Sequence, residues 1–100
     1  MYKFSTVLVG PEALEIRFAK PHAAEILEDI KAVLESMGAV FESAHHNSYT
    51  GEDFCWYAAP QGRFTLTDFY GDYSIYAQGD NAMIAQVEKA LLASGKFEKE

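Results

Sequence analysis

Apolar residues recur along this chain at two periods, three-to-four in two segments and two over most of the remainder. In the first helical segment Ala23, Ile26, Leu27, Ile30, Val33, Leu34 and Met37 fall on one face, with Glu25, Glu28, Asp29 and Glu35 on the other. Pro21 fits the first helical position, where its missing N–H costs nothing, and Gly38 supplies a left-handed stop. The second helical segment carries Met83, Ile84, Val87 and Leu91 as its stripe, with Asp80 or Asn81 as the N-cap and Gly95 as the stop. Each helix is apolar on one side only, so each must cover a sheet.

The two-residue period marks the strands, and turn residues set their pairing. Around Gly10-Pro11, Phe4, Thr6 and Leu8 come to lie opposite Phe18, Ile16 and Leu14. Read as a glycine-first two-residue turn, Gly71-Asp72 pairs Tyr70 with Tyr73, Asp68 with Ile75 and Leu66 with Ala77. A turn at Pro60-Gln61-Gly62 pairs Ala58 with Phe64 and Trp56 with Leu66. These registers put Phe54, Trp56, Ala58, Phe64, Leu66, Tyr70, Tyr73, Ile75 and Ala77 on the apolar face. Residues 39–46 make a further strand that turns at 47–51, in the register that buries Phe41. The predicted fold is α+β, in the order ββαβββα. It is a two-layer sandwich in which two helices pack on one face of an antiparallel sheet of about five to six strands, within a single domain spanning residues 1–100.

Such a sheet leaves its other face to solvent. On the predicted registers that face carries Glu42, His46, Asp53, Cys55, Tyr57, Arg63, Thr65, Thr67, Phe69, Ser74, Tyr76 and Gln78. Threonines are ordinary on a wet antiparallel face; Tyr57, Phe69 and Tyr76 exceed what solvation asks for.

Charge sharpens this picture. From Ala32 to Glu88 there is one base, Arg63, against Glu35, Glu42, Glu52, Asp53, Asp68, Asp72, Asp80 and Glu88. That stretch therefore carries the whole net charge of −7. A negative field beside large aromatic side chains favours a basic partner and disfavours nucleic acid and anionic membrane. The single cysteine, Cys55, excludes an internal disulfide and fits a cytoplasmic setting. The start of the chain lacks the apolar run of a secretory leader, and no stretch nears the ~20 apolar residues of a bilayer span.

Candidate chemistry is sparse. His45-His46 invites a metal, with His46, Asp53 and Cys55 as ligands, but the spacing matches no standard zinc pattern and a polar hairpin tip accounts for it. Cys55 with His46 would make a thiolate–imidazole pair, yet Glu52 and Asp53 oppose a thiolate. Asp68 is aimed at the apolar face beside the Gly71 turn, where a carboxylate caps a turn more often than it acts as an acid or base. His22 reads as a neutral surface histidine, and Phe97 tucks back while the rest of the tail frays. No glycine-rich phosphate loop is present, and no cofactor is implied. Three readings follow. The first is an inhibitor-like, non-enzymatic binding protein that engages a basic protein through Glu42, Asp53, Tyr57, Phe69, Asp72 and Tyr76. The second is a small-ligand or catalytic domain using His46, Asp53, Cys55 and Tyr57. The third is a homodimer formed through the open face or an edge strand.

Overall fold

A computed structural model describes residues Met1–Glu100. The elements run β1 (Tyr2–Val9), β2 (Ala13–Phe18), α1 (Ile26–Ser36), β3 (Val40–His46), β4 (Asp53–Ala59), β5 (Gly62–Phe69), β6 (Asp72–Tyr76), α2 (Asn81–Ala93) and β7 (Phe97–Lys99). One mostly antiparallel sheet contains all seven strands in the order β3-β4-β5-β6-β2-β1-β7. The seventh strand exceeds the expected five to six. Rather than fraying, the tail pairs in parallel with β1, Tyr2 opposite Phe97, and buries the Phe97 ring. Its capture ties the chain end to the first strand.

Both helices pack on the same face. Buried Phe4, Ile16, Phe18, Tyr57, Phe64, Leu66, Ile75 and Phe97 from the sheet join Ile26, Ile30, Val33 and Leu34 of α1 and Met83, Ile84, Val87 and Leu91 of α2 in one core. The caps explain where α2 begins and α1 ends. Asp80 accepts a hydrogen bond from the Met83 N–H at 3.1 Å, and Gly38 takes φ +82° just past Met37, the C-cap of α1. Pro21 does not open α1; it stands in the loop ahead of it, and the helix starts at Ile26 without a side-chain cap.

Two turns differ from the sequence reading, with different consequences. The β5–β6 loop is Tyr70-Gly71, with Phe69 opposite Asp72. Both loop residues have positive φ, 51° and 86°, which is type I′ geometry in place of the expected glycine-first form. The register therefore moves by two residues, and every side chain keeps its face. The β4–β5 loop is Pro60-Gln61, closed by Ala59 opposite Gly62. A two-residue loop where three were expected slips β4 by one residue, which turns all of its side chains over.

The topology repeats itself. A hairpin, a helix and a strand (β1-β2-α1-β3) are followed after β4 by the same succession (β5-β6-α2-β7). The two hairpins meet at β2 and β6, where Ile16 lies opposite Ile75 with both side chains fully buried. No sequence repeat accompanies this pseudo-dyad, and β4 breaks it by inserting between β3 and β5.

Candidate functional site

The uncovered sheet face is built from the side chains that alternate with the core. Reading across neighbouring strands, one row runs Ser43, Trp56, Thr65, Tyr76, Glu15 and Val7; the next runs His45, Phe54, Thr67, Ser74, Arg17 and Ser5. The Phe54 and Trp56 rings stack at 6.1 Å, 14° from parallel. Thr65 and Thr67 are only 3% and 5% exposed despite sitting on the wet side. Large neighbours in their rows, Trp56, Tyr76 and Phe54, shield their short side chains from water. The face is thus a raised aromatic wall beside a floor of short hydroxyl side chains.

Next to that wall lies a hollow of about 430 Å³, lined by Glu15, Arg17, Glu52, Thr67, Asp72, Ser74 and Tyr76 among others. Small Thr67 and Ser74 make it a depression. Arg17 is held by Glu15 at 2.7 Å, and Asp72 pairs with Lys20 at 3.2 Å, while Glu52 has no ion-pair partner. At the far side of the wall, a β-bulge between Phe41 and Ser43 turns Glu42 toward Arg63, 3.4 Å away. Exposed pairs of this kind contribute little to folding and can be exchanged for a partner's charge at small cost.

Several expected site residues occupy other positions. Tyr57 is 7% exposed on the helix side, stacked on Phe64 at 5.5 Å and met edge-on by Phe41. It cannot be a contact of the open face. Asp53, His46 and Cys55 turn to the helix side with it, because the β4 slip inverts the strand and His46 shares the face of its opposite neighbour Asp53. Phe69, Asp72 and Tyr76 do lie on the open face, and Glu42 borders it. Phe54 and Trp56 replace Tyr57 there; residues at the alternate positions of the same strand were the available clue. Phe41 lies on the helix side as expected, a face that the inverted β4 makes it share with Tyr57, yet it is 53% exposed, since neither helix reaches over edge strand β3.

On the helix side, His46, Asp53 and Cys55 line a second cavity of about 350 Å³ with Leu27, Lys31, Leu66 and Asp68; Tyr57 does not. His46 Nδ1 lies 2.7 Å from Asp53 Oδ1. Burial raises the Cys55 thiol pKa and nearby Asp53 and Asp68 raise it further, outweighing the lowering effect of Lys31. A thiol kept protonated is a poor nucleophile. No group of three or more His, Cys, Asp or Glu side chains converges closely enough to hold a metal ion. Asp68 does cap its turn, accepting from the Gly71 N–H at 2.9 Å. His22 is half-buried instead of being an ordinary surface residue, with Nε2 3.0 Å from the Gly71 carbonyl.

No helix is long and apolar enough to cross a membrane. No family model, curated protein or solved structure matches the chain.

Proposed function

We propose that this is a non-enzymatic binding protein that receives a basic protein on its open sheet face. The observation that carries the reading is the acid-rimmed hollow whose floor residue Thr67 lies opposite Phe54, one strand from the stacked Phe54–Trp56 pair. Aromatic side chains supply contact area at low entropic cost and recur as the energetic centres of interfaces. Glu15, Glu52 and Asp72 around a floor of hydroxyls suit a lysine or arginine side chain, whose stem can lie along Tyr76. The net charge of −7 adds long-range attraction for a basic protein and repels nucleic acid and anionic lipid. Compared with the sequence reading, Glu42, Phe69, Asp72 and Tyr76 stay in the surface, Phe54, Trp56, Glu15 and Glu52 enter it, and Tyr57 and Asp53 leave it. The unpaired cysteine fits a cytoplasmic setting.

The test is paired affinity purification from the native cell with wild type, Trp56→Ala and Glu52→Lys as baits. A basic protein held by wild type, released by salt and lost with both variants is the expected result. Equal recovery on all three baits, or enrichment of acidic proteins only, overturns the proposal.

A further inference from the structure

The two edges of the sheet are built differently. β7 is three residues long and its outer positions are charged, Glu98 and Lys99, which blunts it against pairing. β3 is seven residues long and exposed throughout, with Val40 65% exposed beside Phe41. Its hydrogen-bonding pattern can be read outward from the turn. The Asn47 N–H donates to the Glu52 carbonyl at 2.8 Å, so Asn47 and Glu52 form a hydrogen-bonded pair. Such pairs alternate along an antiparallel ladder, so His45 and Ser43 also bond inward to β4. Ala44 and His46, opposite Cys55 and Asp53, then turn their N–H and C=O groups away from the sheet. Beyond the bulge, Val40 bonds inward and Phe41 turns outward by the same alternation.

We infer that β3 pairs antiparallel with β3 of a second copy of this chain, about a two-fold axis through Ala44. In that register Ala44 faces Ala44 of the partner with the outward groups of both satisfied. His45 meets the bulged Glu42-Ser43 of the other copy, His46 meets Phe41, and Asn47 meets Val40. Outward backbone thus meets outward backbone at every step, and the bulge supplies the one-residue shift that this requires at each end. The faces agree as well: His45 and Glu42 lie on the open side, so imidazole and carboxylate adjoin, while His46 and Phe41 lie together on the helix side. The smallest side chain of the strand sits on the axis. The contact is isologous and closed, so it gives dimers and no fibres. The sheet would continue through fourteen strands with four helices on one side, bringing both Phe54–Trp56 walls onto one surface. This edge pairing does not depend on what that surface binds.

One strand pair buries less than the ~1,200 Å² of stable complexes, so the dimer is expected to be weak and to form only at high concentration. Sedimentation equilibrium up to about 1 mM should show a mass rising from 11.1 kDa toward twice that value. Ala44→Pro removes an outward N–H and leaves the β3–β4 ladder intact, as proline on an edge strand does. It should stay monomeric with an unchanged circular dichroism spectrum. As a second probe, Ala44→Cys with Cys55→Ser should form an intermolecular disulfide on mild oxidation, because Cα atoms of a hydrogen-bonded pair lie about 5.5 Å apart. His45→Cys in the same background should cross-link far less. A wild type monomeric throughout, an Ala44→Pro protein that still doubles its mass, or equal cross-linking at 44 and 45 each overturns the inference.

Discussion

Replacing Tyr57 and Trp56 separately by alanine tests the orientation of β4, on which the description of the open face depends. The Tyr57 ring is 7% exposed and packed between Phe64 and Phe41. Truncating a buried aromatic costs about 3–5 kcal/mol through lost transfer energy and an unfilled cavity. Phe41 sits at the margin and can relax into part of the gap, which sets the expectation at the lower end, about 3 kcal/mol. For a domain near this size each kcal/mol moves the midpoint by ~4–8 °C, so a fall of about 12–24 °C follows. Trp56 stands half-exposed on the wet face, and alanine there removes the stack on Phe54 and part of the cover over Thr65. The cost is about 1 kcal/mol. Tyr57→Phe, which keeps the ring, should cost less than ~1 kcal/mol. Urea titration followed by far-UV circular dichroism measures all three, since Trp56 is the only tryptophan and its fluorescence vanishes with the substitution. A Trp56→Ala loss equal to or larger than that of Tyr57→Ala would refute the register and remove the aromatic wall from the proposed recognition surface.

Two further outcomes follow from titratable groups. Asp29 accepts from Tyr2 Oη at 2.6 Å and from Lys96 Nζ at 3.0 Å, and these bonds hold its pKa below the ordinary carboxylate value while the Tyr2 phenol is pushed up to about 12. The depressed carboxylate stabilises the fold above its unfolded pKa and loses that contribution as pH falls through the folded value; the raised phenol stabilises below about 10 and loses it as pH climbs toward about 12. Asp29→Asn should therefore lower the melting midpoint at pH 7, with the gap to wild type closing below pH ~4; a gap constant down to pH 2 would contradict the linkage. Cys55, its pKa raised chiefly by burial, should react with iodoacetamide at pH 8 at least ~10-fold more slowly in the native protein than in urea, and equal rates would place the thiol elsewhere.

The legible parts of this fold are those in which only one face of an element is apolar. α1 and α2 each carry a single stripe, and the hairpin at Gly10-Pro11 has Phe4, Ile16 and Phe18 on one side against Ser5, Glu15 and Arg17 on the other. Their pairing is as the sequence implies, Phe4 opposite Phe18 and Thr6 opposite Ile16. β4 offers no such contrast. Phe54 and Trp56 alternate with Cys55 and Tyr57, so either face could pass for the core. Only the length of the Pro60-Gln61 loop decides, and one residue of loop inverts the strand. The β5–β6 turn also differs from what the sequence implies, but its register moves by an even step, which the two-residue period of a strand forgives.

That ambiguity has a physical origin in what β4 is required to do. A strand with one wet face needs one apolar set of side chains; β4 carries two, and the second set has no fold-internal duty beyond shielding Thr65 and Thr67. Leaving Phe54 and Trp56 partly exposed forgoes a fraction of the up to ~3 kcal/mol that full burial would give each ring. Surface positions under no other demand are filled at less cost by threonine or charge, as Thr65, Thr67, Ser74 and Arg17 fill theirs on the neighbouring strands. The residues that make the register ambiguous in the sequence are the same ones that the proposed contact surface uses. On the proposed function, both features come from a strand that serves the core on one side and a partner on the other.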